Sequence, residues 1–394
     1  MRISLVCPAS LPATQFGGIM FLCIHIANRL SKFDHQVTIY TTDLDFANNA
    51  KTFNRNLPRQ ERVNQFSIKR THVWFSIFLF YINLGMYRQM LKDDHDIIHT
   101  VGVRSFQSLI AAMISKKKKI PLIVSDQGGL TTHPDLQKSS LLKQILIKLQ
   151  SPMIKYIINQ SSRVIVANEY EKQIFLSFCD ESRIEIVRNG IDLNELNSEL
   201  IDFKSKYKIS SEFILFVGRF SMVKGVDLLL QAINRIKDYP EMSNVKTVIM
   251  GVDFGFEKRM FEMVEELQLR EKIIIIKNPA RNDVISAYAQ CKFLVLPSRW
   301  ELSPLTPLEG FVFKKAVISS KVHGIPFTIE HDKNAILVEP EDYQKIGDAI
   351  MELIRNKTKC IEYGIDGYKL VTEICNSDKM ADNMFKVYQK VINR

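Results

Sequence analysis

The chain has 394 residues, 46% of them hydrophobic and 24% charged, with a formal net charge of +10. That composition excludes a disordered or fibrous chain, and the length predicts two domains of about 200 residues each. The first 150 residues carry about all of the net charge and the remainder sums to about zero. No zinc-finger, recognition-helix or aromatic RNA-binding pattern accompanies that charge, which argues against nucleic acid as a partner.

The opening RISLVC reads as a buried strand, and its short apolar run before Pro8 is too brief for a signal peptide, which predicts a cytoplasmic protein. Gly17 and Gly18 follow, then an apolar helical stretch from Ile19 to about Leu30 and the strand QVTIYTT. Such a glycine loop lets backbone amides approach a ligand at a strand's carboxyl end. Two glycines that merely make the turn are an equal account, since G-x-G-x-x-G is incomplete and Asp43 lies about 25 residues on. The basic clusters around Arg55 to Arg70 and Lys116 to Lys119 are either a solvated surface or an attraction for anionic lipid or an anionic acceptor.

Val73 to Met90 is the most hydrophobic region, with aromatic residues on every face, and it falls short of the ~20 apolar residues of a membrane span. A helix is expected there, either buried or pressed against a membrane surface. DIIHTVG places His99 near a strand end, and PLIVSDQGG places Asp126, Gln127 and Gly128-Gly129 just past another, where a parallel sheet gathers its ligands. A helix from about Ser140 to Gln160, the strand RVIVAN, a helix from Glu169 and the strand IEIVRNGID complete a doubly wound first domain over residues 1–200. Asn194 to Lys208 reads as a polar connection. The pattern restarts with FILFVG, VKTVIMG, IIIIKN, FLVLPS, AVISS and AILVEP at strand-helix-strand spacing, a second domain over residues 201–375. A closing helical stretch, 376–394, has the option of packing back on the first domain. The six cysteines are scattered singly, with no pair at metal-ligand spacing.

Two places in the second half carry chemistry. Past FILFVG, Arg219 and Lys224 put two cations beside backbone amides, a setting for a diphosphate. In PSRWELSPLTPLEGF, Glu301 lies in the loop beyond a strand and Glu309 in the first turn of the next helix, with Thr306 and Glu309 spaced as a capping box behind Pro307. The amides of Ser303, Leu305 and Thr306 are then available to a phosphate carrying a polyhydroxylated group. Taken singly, Glu309 is accounted for by the capping box and Glu301 by a solvated loop.

RNGID at Arg188 to Asp192, VGRFSMVKG at Val217 to Gly225, LPSRWELSPLTPLEG at Leu296 to Gly310 and AILVEPED at Ala335 to Asp342 together resemble the retaining glycosyltransferases of family 4. The resemblance is specific over the second half and looser in the first, where Gly17-Gly18 and the D-x-x-H of Asp96 to His99 carry it. It implies a GT-B fold, α/β, with two Rossmann-like domains facing a central cleft, the first on the acceptor side and the second binding the donor. It further implies a metal-independent hexosyltransferase with no required cofactor, whose donor substrate is a nucleotide-diphosphate sugar of UDP or GDP type and whose acceptor is a glycan or lipid-linked sugar. The catalytic set would be Arg219, Lys224 and Glu301, with Arg219 and Lys224 on the departing diphosphate. Gly17, Gly18, Ser303, Leu305, Thr306 and Glu309 would complete the donor site, Glu309 on the ribose and the nucleobase near Asn278 to Arg281. Leu302, Ser303 and Pro304 stand where many members have Gly-Phe-Gly, Val101 and Gln127 where they have histidines, so His99, Asp126, Gln127 and His133 are the acceptor-side candidates. Peripheral contact with an anionic membrane would place the protein at the inner face. A non-catalytic nucleotide-sugar binding protein and a GT-B sugar epimerase are the competing readings.

Overall fold

In the computed structural model the chain divides into two compact units, Met1–Asn189 with Ser377–Arg394, and Gly190–Asn376. The structure describes all residues except 14–15, 46–51, 78–79, 129, 131, 133, 135–140, 197–198 and 394, and gives 141–147 without their side chains. The first unit is built on β1 (Arg2–Val6), α1 (Gly18–Ser31), β2 (Gln36–Thr42), β3 (Gln60–Val63) and β4 (Phe66–Thr71). It continues through β5 (Phe75–Ile77), β6 (Phe80–Ile82), α2 (Gly85–Lys92), β7 (Ile97–Val101), α3 (Phe106–Lys118) and β8 (Leu122–Ser125). Its last elements before the break are α4 (Leu141–Gln160), β9 (Arg163–Val166), α5 (Glu169–Phe175) and β10 (Ile184–Ile186). Eight strands form one sheet in the order β10-β9-β8-β7-β1-β2-β4-β3, parallel throughout except for the β3–β4 edge pair.

Strands β1, β7, β8 and β9 are almost wholly buried because helices cover both faces of the sheet, which is why they read as continuous apolar runs. On one face α1 packs beside the closing helix Ser377–Ile392 around Cys23, Ile26, Met384 and Tyr388. On the other, α2, α3 and α4 stand side by side over Ile98, Ile110, Val124, Ile157 and Val164.

The expected helix over Val73 to Met90 does not form. Its first half is an antiparallel hairpin, β5 against β6, and only Gly85–Lys92 is helical. An apolar run without a 3.6-residue period has no helical face to bury, while aromatic and β-branched residues suit a short pleated ribbon. Residues 78–79 of that region lie outside the described residues.

The second unit begins with two short helices, α6 (Leu193–Leu196) and α7 (Phe203–Lys206). Leu196, Phe203 and Ile209 are buried in its core, so the segment read as a polar connection is anchored by a few widely spaced apolar side chains. The strands β11 (Glu212–Val217), β12 (Val245–Gly251), β13 (Ile273–Lys277), β14 (Leu294–Leu296), β15 (Val317–Ser320) and β16 (Ala335–Val338) make an all-parallel sheet ordered β13-β12-β11-β14-β15-β16. The crossovers are α8 (Val226–Ile236), α9 (Glu257–Glu266), α10 (Arg281–Gln290) and α11 (Thr306–Val312), and α12 (Tyr343–Arg355) and α13 (Lys357–Glu373) close the unit. The order reverses between β11 and β14, and the loops after those two strands carry the motifs singled out above, as expected of a topological switch point.

Candidate functional site

The loop after β11 is shaped by two glycines that no other residue could replace. A Cβ on Gly251 would lie 1.8 Å from the Gly218 carbonyl oxygen, and one on Gly225 would lie 1.9 Å from that of Pro297. Gly225 also has φ +69°, in the left-handed region. The chain therefore runs from Gly218 through a single 3-10 turn, Met222–Lys224, and into α8 while pressed against the end of β14. Arg299 fastens this contact. Its amide donates to Val223 O at 2.7 Å, and its guanidinium donates to both carboxylate oxygens of Asp227 at 2.7 Å, to Met222 O and to Glu341. A bidentate pair of this kind fixes direction as well as distance. Asp227 and Arg299 were not among the expected site residues; their signal was an acid one turn past the Lys224-Gly225 pair and an arginine two residues before Glu301.

Within that frame the Lys224 ammonium donates to Glu301 Oε1 at 2.5 Å, and Ser298 Oγ donates to the same oxygen at 3.0 Å. The Glu301 side chain is 8% exposed and that of Lys224 28%. Two of the expected residues are thus joined directly, at the carboxyl ends of adjacent strands. The Arg219 guanidinium stacks on the Phe254 ring, 4.4 Å from its centroid, a cation–π contact in the turn after β12.

Glu309 has a different setting from the one its spacing suggested. The N-cap of α11 is Leu305, with no side-chain cap hydrogen bond, so the capping box of Thr306 and Glu309 does not form. Glu309 turns outward from the helix instead: Arg281 donates to its Oε1 at 2.7 Å and the Tyr288 hydroxyl to its Oε2 at 2.8 Å. A cation and a phenol displace the cap because their hydrogen bonds to a half-buried carboxylate exceed what the backbone amide offers. Burial, and next the charge of Glu309, push the Tyr288 hydroxyl well above its ordinary pKa, so it remains a donor. Burial pulls the Arg281 guanidinium down, but Glu309 and Glu195 outweigh it and the net shift is upward. Thr306 bonds to the Tyr288 side chain. Ser303 and Leu305 are half-buried in the loop between Glu301 and α11, and Pro304, buried beside them, has no amide to donate.

The first unit's candidates divide. Gly17 has φ 93° and is the N-cap of α1, accepting from Met20 N at 3.1 Å, so its glycine is required by the turn, and Gly18 opens the helix exposed. His99 is a correction: it is fully buried, with Nδ1 2.6 Å from the Tyr388 hydroxyl and Nε2 2.7 Å from Ser125 Oγ. Desolvation pushes its pKa down to about 3, so it is a neutral strut between β7, β8 and the closing helix. Asp126 is also buried, accepting from the amides of Val103, Gly128 and Leu130, and burial raises its pKa. Its carboxylate organises the loop after β8. Gln127, at φ 63°, exchanges two amide hydrogen bonds with Asn189, at 3.0 and 2.7 Å. Glu171, which the sequence did not bring forward, accepts from the amides of Ala167 and Gln127, and burial pushes its pKa up to about 8. His133 and Gly129 lie outside the described residues.

Residues 16–195 match the family Glycosyltransferase Family 4, and residues 197–369 match Glycosyl transferases group 1. An uncharacterized glycosyltransferase of Methanocaldococcus jannaschii is 26% identical over 76% of this chain and 77% of its own. An Escherichia coli UDP-Gal:α-D-GlcNAc-diphosphoundecaprenol α-1,3-galactosyltransferase is 20% identical over 76% of this chain and 77% of its own. Among solved structures, Anabaena HepE in complex with UDP superposes with a TM-score of 0.75 at 17% identity, covering 99% of this chain and all of that one. With both halves of the chain matched and the fold shared end to end, this protein is a member of glycosyltransferase family 4 with the GT-B fold.

Proposed function

We propose that the protein moves a sugar, with retention of configuration, from a nucleotide-diphosphate sugar held by the second unit to a glycan or lipid-linked acceptor. The observation that carries this reading is the Lys224–Glu301 pair, an exposed-edge cation and a buried carboxylate joined at the switch point and clamped from behind by Arg299 and Asp227. The pair supplies both halves of donor recognition. Lys224 and Arg219 hold the diphosphate and offset the charge that develops on it as it leaves. Glu301, released from Lys224 when the phosphate takes its place, accepts hydrogen bonds from the hydroxyls of the donor sugar. Ser303, Leu305 and Thr306 line the same loop.

Glu309 holds the ribose hydroxyls, with Arg281 and Tyr288 orienting its two oxygens, and the base rests near Asn278 to Arg281. The bond between the anomeric carbon and the diphosphate oxygen breaks, the acceptor oxygen bonds to that carbon on the same face, and the acceptor proton passes to the departing phosphate. The charge this step requires comes from Arg219 and Lys224, which is why the reading needs no metal. UDP is the favoured nucleotide, since HepE has been solved with UDP and with UDP-glucose. A lipid diphosphate-linked sugar at the inner face of a membrane is the favoured acceptor, by analogy with the named substrate of the E. coli relative. In the first unit, Gln127 and the loop that Asp126 organises stand on the acceptor side.

The test is nucleotide release from a panel of UDP and GDP sugars, with and without lipid-linked acceptors, together with the anomeric configuration of the product. Acceptor-dependent release giving a retained linkage is expected. Binding with no release under any acceptor would make the protein a binder, and conversion of the donor without acceptor would make it an epimerase.

A further inference from the structure

The first unit holds a cluster of charged side chains that neither the donor site nor the core uses. Thr42 and Thr71 form the last rung between β2 and β4, and Asp43 and His72 stand one residue beyond it, at the carboxyl end of the sheet. The Asp43 side chain is fully buried: its Oδ1 accepts from Val73 N at 3.0 Å, and its Oδ2 lies 2.6 Å from His72 Nδ1. On the other ring nitrogen, Nε2, His72 accepts from Arg55 Nε at 2.9 Å. An arginine only donates, so this contact fixes the tautomer, with the ring neutral and its proton on Nδ1 facing Asp43. Arg59 lies over the same carboxylate, 3.7 Å from Oδ2, with half of its side chain exposed.

Neither guanidinium is needed to hold the segment that carries it. Asn54 N donates to Asp43 O at 2.8 Å, Arg70 N donates to Arg59 O at 2.9 Å, and the buried Arg70 guanidinium reaches Pro58 O and Glu61, so the segment is tied at both ends by other groups. Elsewhere in the unit Arg2, Arg29, Lys69 and Arg70 each reach a carboxylate at 2.7–3.2 Å. Among the described residues the Arg55 guanidinium meets only a neutral imidazole, and Arg59 only a distant carboxylate already engaged by His72 and Val73. Held through Nε, Arg55 keeps Nη1 and Nη2 for a ligand, the edge with which a guanidinium takes two oxygens of one phosphate. A side chain anchored in this way gives up fewer rotamers on binding than a loose surface arginine.

We propose that Arg55 and Arg59, with His72 orienting Arg55, form a second anion site that takes the diphosphate of a glycosyl diphosphate acceptor. That the ligand is the acceptor rests on the function proposed above. The anion site itself is read by binding, without any turnover.

The experiment is calorimetry on the full chain with UDP saturating, so that inorganic pyrophosphate reports on a site other than the donor's. Arg55→Ala and Arg59→Ala should each weaken pyrophosphate about ten-fold, the worth of a hydrogen bond to a charged group. Arg55→Lys should weaken it nearly as much, because an ammonium lacks the fork. All three should keep the parent's melting temperature and UDP affinity. His72→Gln should weaken pyrophosphate less than Arg55→Ala does and add nothing in the Arg55→Ala chain, which a merely structural histidine would not show. A short-chain prenyl diphosphate-linked N-acetylglucosamine separates an acceptor from a free phosphate: its affinity should fall in the same variants, while that of an alkyl glycoside of the same sugar should not. Three results would overturn the proposal: no pyrophosphate binding beside UDP, equal binding by Arg55→Ala and the parent, or a prenyl diphosphate sugar held as tightly by the variants as by the parent. Failure of the function proposed above would show differently, as missing transfer with these affinities intact.

Discussion

At the carboxyl end of β8 in the first unit, Asp126 is buried and takes three backbone amides. In the loop past β14 in the second unit, Glu301 takes the ammonium of Lys224, whose side chain reaches the surface. Both carboxylates stand in loops beyond parallel strands, Asp126 before a Gly128-Gly129 pair and Glu301 before Leu302, Ser303 and Pro304. The difference is what satisfies them. Backbone donors are fixed and hold Asp126 to the loop, as Ser125 and Tyr388 hold His99 to the core. A lysine side chain can exchange one anion for another at the cost of a few rotamers, so the Lys224–Glu301 contact is one that a diphosphate can open. Polar groups at a strand end make a ligand site only where their partners can be replaced.

That comparison can be broken in order of expected effect. Lys224→Ala removes the exchangeable partner: transfer should fall roughly a hundred- to a thousand-fold, as on loss of a donor aimed at developing charge, while the chain stays folded at a cost of about 1–3 kcal/mol, because the 8%-exposed Glu301 side chain loses its cation. Arg299→Ala attacks the clamp. It leaves Asp227 buried without its bidentate partner and should cost about 2–3 kcal/mol in denaturant unfolding, with a rise in KM for the donor as the Met222–Lys224 turn loosens. Glu301→Gln should reduce discrimination among donor sugars about ten-fold, the worth of a hydrogen bond to a charged acceptor, while calorimetry of UDP alone should change little.

In the first unit the expected effects are on stability. His99 has a folded pKa pushed down to about 3, against about 6.5 in the unfolded chain. The unfolded state therefore binds the extra proton between those values, and the stability His99 contributes is present above pH ~6.5 and lost as pH falls toward 3. His99→Gln should flatten that part of the pH dependence relative to the parent chain and leave transfer at neutral pH largely intact. A large loss of transfer with a normal melting curve would return His99 to the acceptor side.

The six strands of the second unit were legible because each is a short apolar run, all but the edge strand β13 mostly buried on both faces, and the family's motifs fall where those strands end. The pairing of Lys224 with Glu301 was half legible: both residues were named, but neither spacing nor composition says that the two loops touch. The clamp of Arg299 on Asp227 and the grip of Arg281 and Tyr288 on Glu309 depend on side chains brought together by tertiary packing, and no local pattern announces them. Thr306-x-x-Glu309 shows the reverse case, a local pattern that reads as a cap and is overridden by stronger partners elsewhere. The Val73 to Met90 region failed because a helix was expected of an apolar run that has no 3.6-residue period, whereas its first half is a hairpin with Trp74, Phe75 and Ile77 at the surface.

The most direct measurement is steady-state transfer from UDP-glucose and related donors by the parent chain and by Lys224→Ala, with UDP binding followed in parallel by calorimetry. The account predicts acceptor-dependent nucleotide release by the parent, and a folded variant with weakened UDP binding and almost no transfer. Normal turnover by the Lys224→Ala variant would contradict it.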